Sequence, residues 1–131
     1  MRMTPDPTVD GAAAVSPLLE ISGAMVRLYK ATFGRGPTHA RARFAGDDTL
    51  VVLLQDIMTH SERKLVELDE HQRLRELRLV LHQAMEADMR RVVERILGRP
   101  TLAAISGIDA RHDVAAEVFL LAPDLRVDGA R

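Results

Sequence analysis

Apolar residues recur at helical spacing through Leu18, Ile21, Met25, Leu28 and Tyr29, which predicts a first helix over 17–33. Ser16-Pro17 supplies the start, a capping residue followed by a ring that tolerates the first turn, and Gly34 supplies the stop. The period then changes to two. From Thr38 to Phe44, Ala40, Ala42 and Phe44 alternate with His39, Arg41 and Arg43, as in a half-exposed strand. Ala45-Gly46-Asp47-Asp48 has turn chemistry. Leu50 to Leu54 is an unbroken apolar run, read as a central strand covered on both faces, and the two strands make a hairpin.

Thr59-His60-Ser61-Glu62 fits a capping box and predicts a short helix to about Leu68, broken at Asp69-Glu70. A long helix follows over about 71–97. Leu74, Leu77, Leu81, Met85, Val92 and Ile96 are its expected buried stripe, and Glu86, Arg90 and Glu94 an external i, i+4 ladder. Gly98 and Pro100 end it, and 101–106 with 114–121 read as a second hairpin. Residues 1–15, rich in Pro, Thr, Asp, Gly and Ala without period, read as a disordered tail, and 123–131 as a flexible one, which leaves a single domain over 16–122.

The two halves look alike. Phe33-Gly34-Arg35-Gly36-Pro37-Thr38 matches Leu97-Gly98-Arg99-Pro100-Thr101 with one residue deleted, and each follows a helix and precedes a hairpin. Convergent turn chemistry explains the Gly and Pro, whereas a duplicated αββ unit also explains the matching Arg and Thr. The expected fold is therefore α+β, a two-layer αββαββ arrangement: a four-stranded, mainly antiparallel sheet with helices on one face. Gly34, Pro37, Gly98, Arg99 and Pro100 form a structural turn motif, with both glycines left-handed and both prolines fixing a strand's entry. Arg35 and Arg99 take equivalent places, each bonding the last carbonyls of its helix or a carboxylate of the other half.

Composition narrows the chemistry. The chain has 131 residues, 47% of them hydrophobic, with only three Phe, one Tyr and no Trp, so an aliphatic core is expected. A net charge of −1 argues against a nucleic-acid coat. Without cysteine there is no disulfide, thiolate nucleophile or cysteine-held metal. No apolar run approaches the roughly 20 residues that span a bilayer, so the expectation is a cytoplasmic protein, at most peripheral to the inner face of the membrane. Two nearly all-apolar strands in so small a sheet also predict a homo-oligomer, a dimer first of all.

The candidate anion- or partner-binding site is Arg35, Gly36, His39, Arg41 and Arg43. Exposed backbone N–H groups of a Gly-rich turn beside guanidinium groups can hold an anion. The same residues also suit a solvated edge strand, where charge discourages aggregation, and that is the commoner case. Glu117 lies inside an apolar strand, which calls for a structural partner, such as an Arg on a neighbouring strand, before it calls for catalysis. His60, His71 and His82 recur every 11 residues, about 16 Å apart along a helix and too far for one metal. Asp109, His112 and Asp113 suit a turn better than an ion, and Ser16, Ser22, Ser61 and Ser106 lie in no nucleophile motif. No catalytic residue, metal site or cofactor is expected, and the chain is not read as an enzyme.

Several of these segments together carry a resemblance. Ile21-Ser22, Met25-Val26-Arg27-Leu28, Gly34-Arg35-Gly36-Pro37 and Ala40-Arg41 resemble the bacterial MpsC-like family. So do Leu50-Val51-Val52-Leu53-Leu54, Thr59 with Glu62, Leu97-Gly98-Arg99 and Ala116-Glu117-Val118-Phe119-Leu120-Leu121, over about 17–122. The family is named for a sodium-translocating, membrane-potential-generating system. The resemblance implies a soluble accessory or regulatory subunit that acts by protein–protein interaction, with a membrane transport protein as partner. A cytosolic sensor for a small anionic ligand is the alternative.

Overall fold

The computed structural model describes residues 16–123; the two tails expected at 1–15 and, but for Pro123, at 123–131 lie outside the described residues. Element order is α1 (Pro17–Phe33), β1 (His39–Phe44), β2 (Thr49–Gln55), α2 (His60–Glu67), α3 (His71–Leu97), β3 (Thr101–Asp109) and β4 (Val114–Leu121). Local chemistry sets most of the boundaries. Pro17 opens α1, although the Ser16 side chain makes no capping bond and only its carbonyl accepts from Glu20 N–H. Gly34 and Gly98 close α1 and α3 at φ 79° and 67°, in the left-handed region where a Cβ is strained. The capping box is present in full: Thr59 accepts from Glu62 N–H, and the Glu62 carboxylate accepts from Thr59 N–H. Asp69, at φ 61°, separates α2 from α3, so His60 and His71 start different helices.

One four-stranded sheet, antiparallel throughout, has the order β1-β2-β4-β3, which reads as hairpin beside hairpin with β2 and β4 in the middle. The inner face carries Ala42, Leu50, Val52, Leu54, Ala115, Phe119 and Leu121, all buried. Helix α1 lies over the β1 side and α3 over the β3 side, and the two helices pack on each other. Ile21, Met25 and Tyr29 from α1 meet Leu74, Met85, Met89 and Val93 from α3 in one core. No helix among the described residues is long and apolar enough to cross a membrane.

Two expectations need correction. The long helix turns a different face inward: Leu74, Arg78, His82, Met85, Met89 and Val93 are its buried residues, while Leu77 is 54% exposed. Arg78 and His82 find partners inside, and this rotates the stripe away from the purely apolar choice. The β2 run is central but covered on one face only. Val51 and Leu53 point away from the helices, with Arg41 and Arg43 on one side of them and Ala116 and Val118 on the other.

Candidate functional site

The interior holds a polar cluster that the sequence did not announce. Tyr29 from α1 donates to Glu117 Oε2 of β4 at 2.6 Å, and Ser106 from β3 donates to the other carboxyl oxygen. His82 from α3 brings Nδ1 to 3.1 Å from Glu117 Oε2, too poorly aligned for a good hydrogen bond, and Nε2 to 3.4 Å from the Tyr29 hydroxyl. Thus Glu117 is partnered by a tyrosine, a serine and a histidine, not by the arginine expected on a neighbouring strand. A long apolar run hid this, because its partners lie 11, 35 and 88 positions away in the chain (Ser106, His82 and Tyr29).

Burial disfavours the charged form of both groups. Burial pushes the Glu117 carboxyl up to about 7; hydrogen bonds from Ser106 and Tyr29 oppose the rise, and the Glu86 charge adds to it. Burial and the nearby Arg78 cation push His82 down to about 4. The Tyr29 hydroxyl is raised by burial first and then by Glu117. A protonated carboxyl beside a neutral imidazole has the chemistry of a general acid–base pair. Its side chains, however, are 2% and 1% exposed, which leaves a reactant no approach. The cluster joins α1, α3, β3 and β4.

Arg78, fully buried, forms a second tie. Its Nε and Nη2 donate to the Glu62 carboxylate at 2.8 and 2.6 Å, Nη2 also donates to Ile57 O, and the guanidinium lies 3.6 Å above the Phe33 ring. Glu62 therefore caps α2 and anchors α3 at once. The clue in the sequence was spacing: Arg78 and His82 continue the Leu74, Met85, Met89 series at intervals of four, four, three and four, masked by their polarity.

The predicted basic site divides. Arg35 turns to the chain just past β2, donating to Asp56 O at 2.6 Å and Met58 O at 2.9 Å and pairing with the Asp56 carboxylate at 2.8 Å. Its hydrogen bond is the first cause that holds the Asp56 carboxyl below its ordinary range. Gly36 packs on α1, where a Cβ would meet Val26 O at 3.0 Å, so the glycine serves close approach. His39, Arg41 and Arg43 stand exposed on the outer face of edge strand β1, and Arg41 has no hydrogen-bond or ion-pair partner among the described residues. Asp109 folds its own turn by accepting from Arg111 and His112 N–H, while Asp113, at φ 58°, accepts from Ile57 and Met58 N–H and ties the two hairpins together.

Arg99 repeats the Arg35 device. It donates from Nε and Nη2 to Ala122 O, one residue past β4, as Arg35 donates to Asp56 O, one residue past β2. Its Nη1 reaches Asp47 O in the other hairpin. The acceptor the two arginines share is thus the carbonyl one residue past the second strand of the following hairpin, and neither a helix carbonyl nor a carboxylate of the other half, as the sequence suggested. Arg35→Met and Arg99→Met are each expected to lose about 2 kcal/mol in urea unfolding, because charged donors to backbone contribute roughly 1.5–3 kcal/mol. A loss confined to one of them would contradict the equivalence.

These features define an α+β domain with one antiparallel sheet, its buried polar ties locked under the helices and its other sheet face uncovered among the described residues. The chain belongs to the family described as Na+-translocating membrane potential-generating system (MpsC), whose model matches residues 18–123. No curated protein and no solved structure matches the chain.

Proposed function

We propose that this chain is a non-catalytic soluble accessory or regulatory subunit, associated with a sodium-translocating, membrane-potential-generating system and acting by protein–protein contact. The family supplies the context. The observation that carries the mode of action is the division of the molecule: the groups with acid–base character are enclosed and occupied with one another, while the outer sheet face exposes apolar side chains. Ile105, at 65% exposed, and Leu120, at 40%, lie on that face beside half-buried Val51 and Val118. A cytosolic site, peripheral at most to the inner membrane surface, and a membrane transport protein as partner follow from this reading.

The alternative of a sensor for small anions is left with His39, Arg41 and Arg43, since Arg35 and Gly36 are engaged in the turn. A complementation experiment tests the main reading. In a strain lacking the chain, the sodium-dependent membrane potential, followed with a potential-sensitive dye, is expected to fall. It should return with wild type and with Glu117→Gln, but not with Val118→Asp. An unchanged potential without the chain would remove the sodium context. A folded Glu117→Gln variant that fails to restore it would point to chemistry at the cluster.

A further inference from the structure

The outer sheet face has a definite layout. Reading across β1-β2-β4-β3, one row is Arg41, Leu53, Ala116, Gly107 and the next is Arg43, Val51, Val118, Ile105. A row nearer the strand ends is His39, Gln55, Val114, Asp109. The middle is apolar, the β1 edge is basic, and the β3 edge is small and apolar with one carboxylate at its end. Four strands at about 4.8 Å and six residues at about 3.3 Å give a face of roughly 400 Å², whose apolar part is confined to β2, β4 and β3. None of the described helices covers it.

We infer that a second copy of this chain packs on this face, with the two-fold axis lying between the sheets and parallel to the strands, so that β1 of one protomer covers β3 of the other. This rests on the reading that the protein acts through contacts of its open face. The charges select the axis. Two identical sheets packed with their strands aligned can stack face to face about an in-plane axis along the strands or one across them. The axis across the strands lays β1 on β1 and sets Arg41 and Arg43 against their own copies, which repels. The axis along the strands lays that basic stripe on Gly107, Ile105 and Ala103, with Asp109 in reach of Arg41 one row away. Gly107 has open space where a Cβ would stand, which gives the arginine stem room, and the Arg43 methylenes can lie on Ile105. Val51 and Val118 then meet at the axis, where each contact occurs twice.

The test uses the full-length chain, which has no cysteine of its own. Light scattering at roughly 50 µM, well above the dissociation constants of specific dimers, should give a dimer. Ile105→Lys, on the exposed edge strand, and Val118→Asp should each weaken it at least about 30-fold while the circular dichroism spectrum stays that of the folded chain. Mixing Arg43→Cys chains with Ile105→Cys chains should give crosslinked heterodimers with a short bis-maleimide, because the sheets stand about 10 Å apart. Arg43→Cys chains that crosslink to themselves would overturn the axis. A dimer that survives both Ile105→Lys and Val118→Asp would overturn the face. A strictly monomeric wild type would overturn the dimer. If Val118→Asp, still folded, then also fails to restore the membrane potential, another protein occupies the face and the proposed function stands without the dimer. A monomer that dimerises only once residues 1–15 are removed places that segment there instead.

Discussion

Arg78→Met is expected to cost roughly 3–5 kcal/mol of stability, the range for breaking one side of a buried ion pair. Arg78 is fully buried and holds Glu62, Ile57 O and the Phe33 ring together. Methionine fills much of the volume, but it leaves Glu62, whose side chain is 15% exposed, beside a missing cation. Burial raises the Glu62 carboxyl, yet the Arg78 and Thr59 hydrogen bonds outweigh it and hold the carboxyl below its ordinary value of 4.5. A depressed carboxyl stabilises above its unfolded pKa and loses that contribution as pH falls through its folded one. The Arg78→Met deficit should therefore be full at neutral pH and shrink in acid. The same change removes a cation that depresses His82, so the His82 titration followed by NMR should move up from about 4. Urea unfolding at pH 7 measures the stability loss. A cost below about 1 kcal/mol would show that Arg78 is not the tie described.

The second large effect is a pH profile that appears only when the His82–Glu117 pair is split. Glu117 has a folded pKa raised from 4.5 to about 7, so its ionisation destabilises the fold progressively as pH rises through that interval. His82 has a folded pKa lowered from 6.5 to about 4, so its protonation destabilises as pH falls through that one. Between 4.5 and 6.5 the unfolded pair holds one proton, on the histidine, and the folded pair also holds one, on Glu117. Equal proton counts give no slope, and this holds wherever the shared proton sits. Glu117→Gln leaves the histidine alone, and its stability should climb by about 3 kcal/mol from pH 4 to pH 6.5 relative to wild type. His82→Gln leaves the carboxyl alone, and its stability should drop by about 3 kcal/mol from pH 4.5 to pH 7. The charges facing the pair, Arg78 and Glu86, stay in both variants. Parallel curves for the two variants would mean that the pair does not titrate as a unit.

Short-range chemistry made most of the architecture legible. Pro17, Gly34, Gly98 and the Thr59–Glu62 box act within a turn or two of themselves, so the bounds of α1 and α3 and the start of α2 could be read directly. Period two in His39–Phe44 and the apolar runs at 50–54 and 114–121 pointed to both hairpins, each entered from a Gly-Arg turn. The sequence by itself thus determined the element order, the α+β class and the antiparallel sheet.

Only tertiary structure decided which polar groups lie inside. Arg78 and His82 on a helix, or Glu117 in a strand, are costly to bury alone and acceptable once Glu62, Phe33, Tyr29 and Ser106 come to them. The partners of Glu117, for example, arrive from three other elements, and no local pattern records such a meeting. Likewise the sequence left Arg35 open between an anion site and a structural tie, and only the carbonyls past β2 beside it decide for the tie. The apolar run of β2 read as a strand covered on both faces, and only the packing shows cover on one. The packing of α1 and α3 on the same side of the sheet is what left Val51, Val118 and Ile105 facing outward, because two helices suffice to cover only one face of four strands.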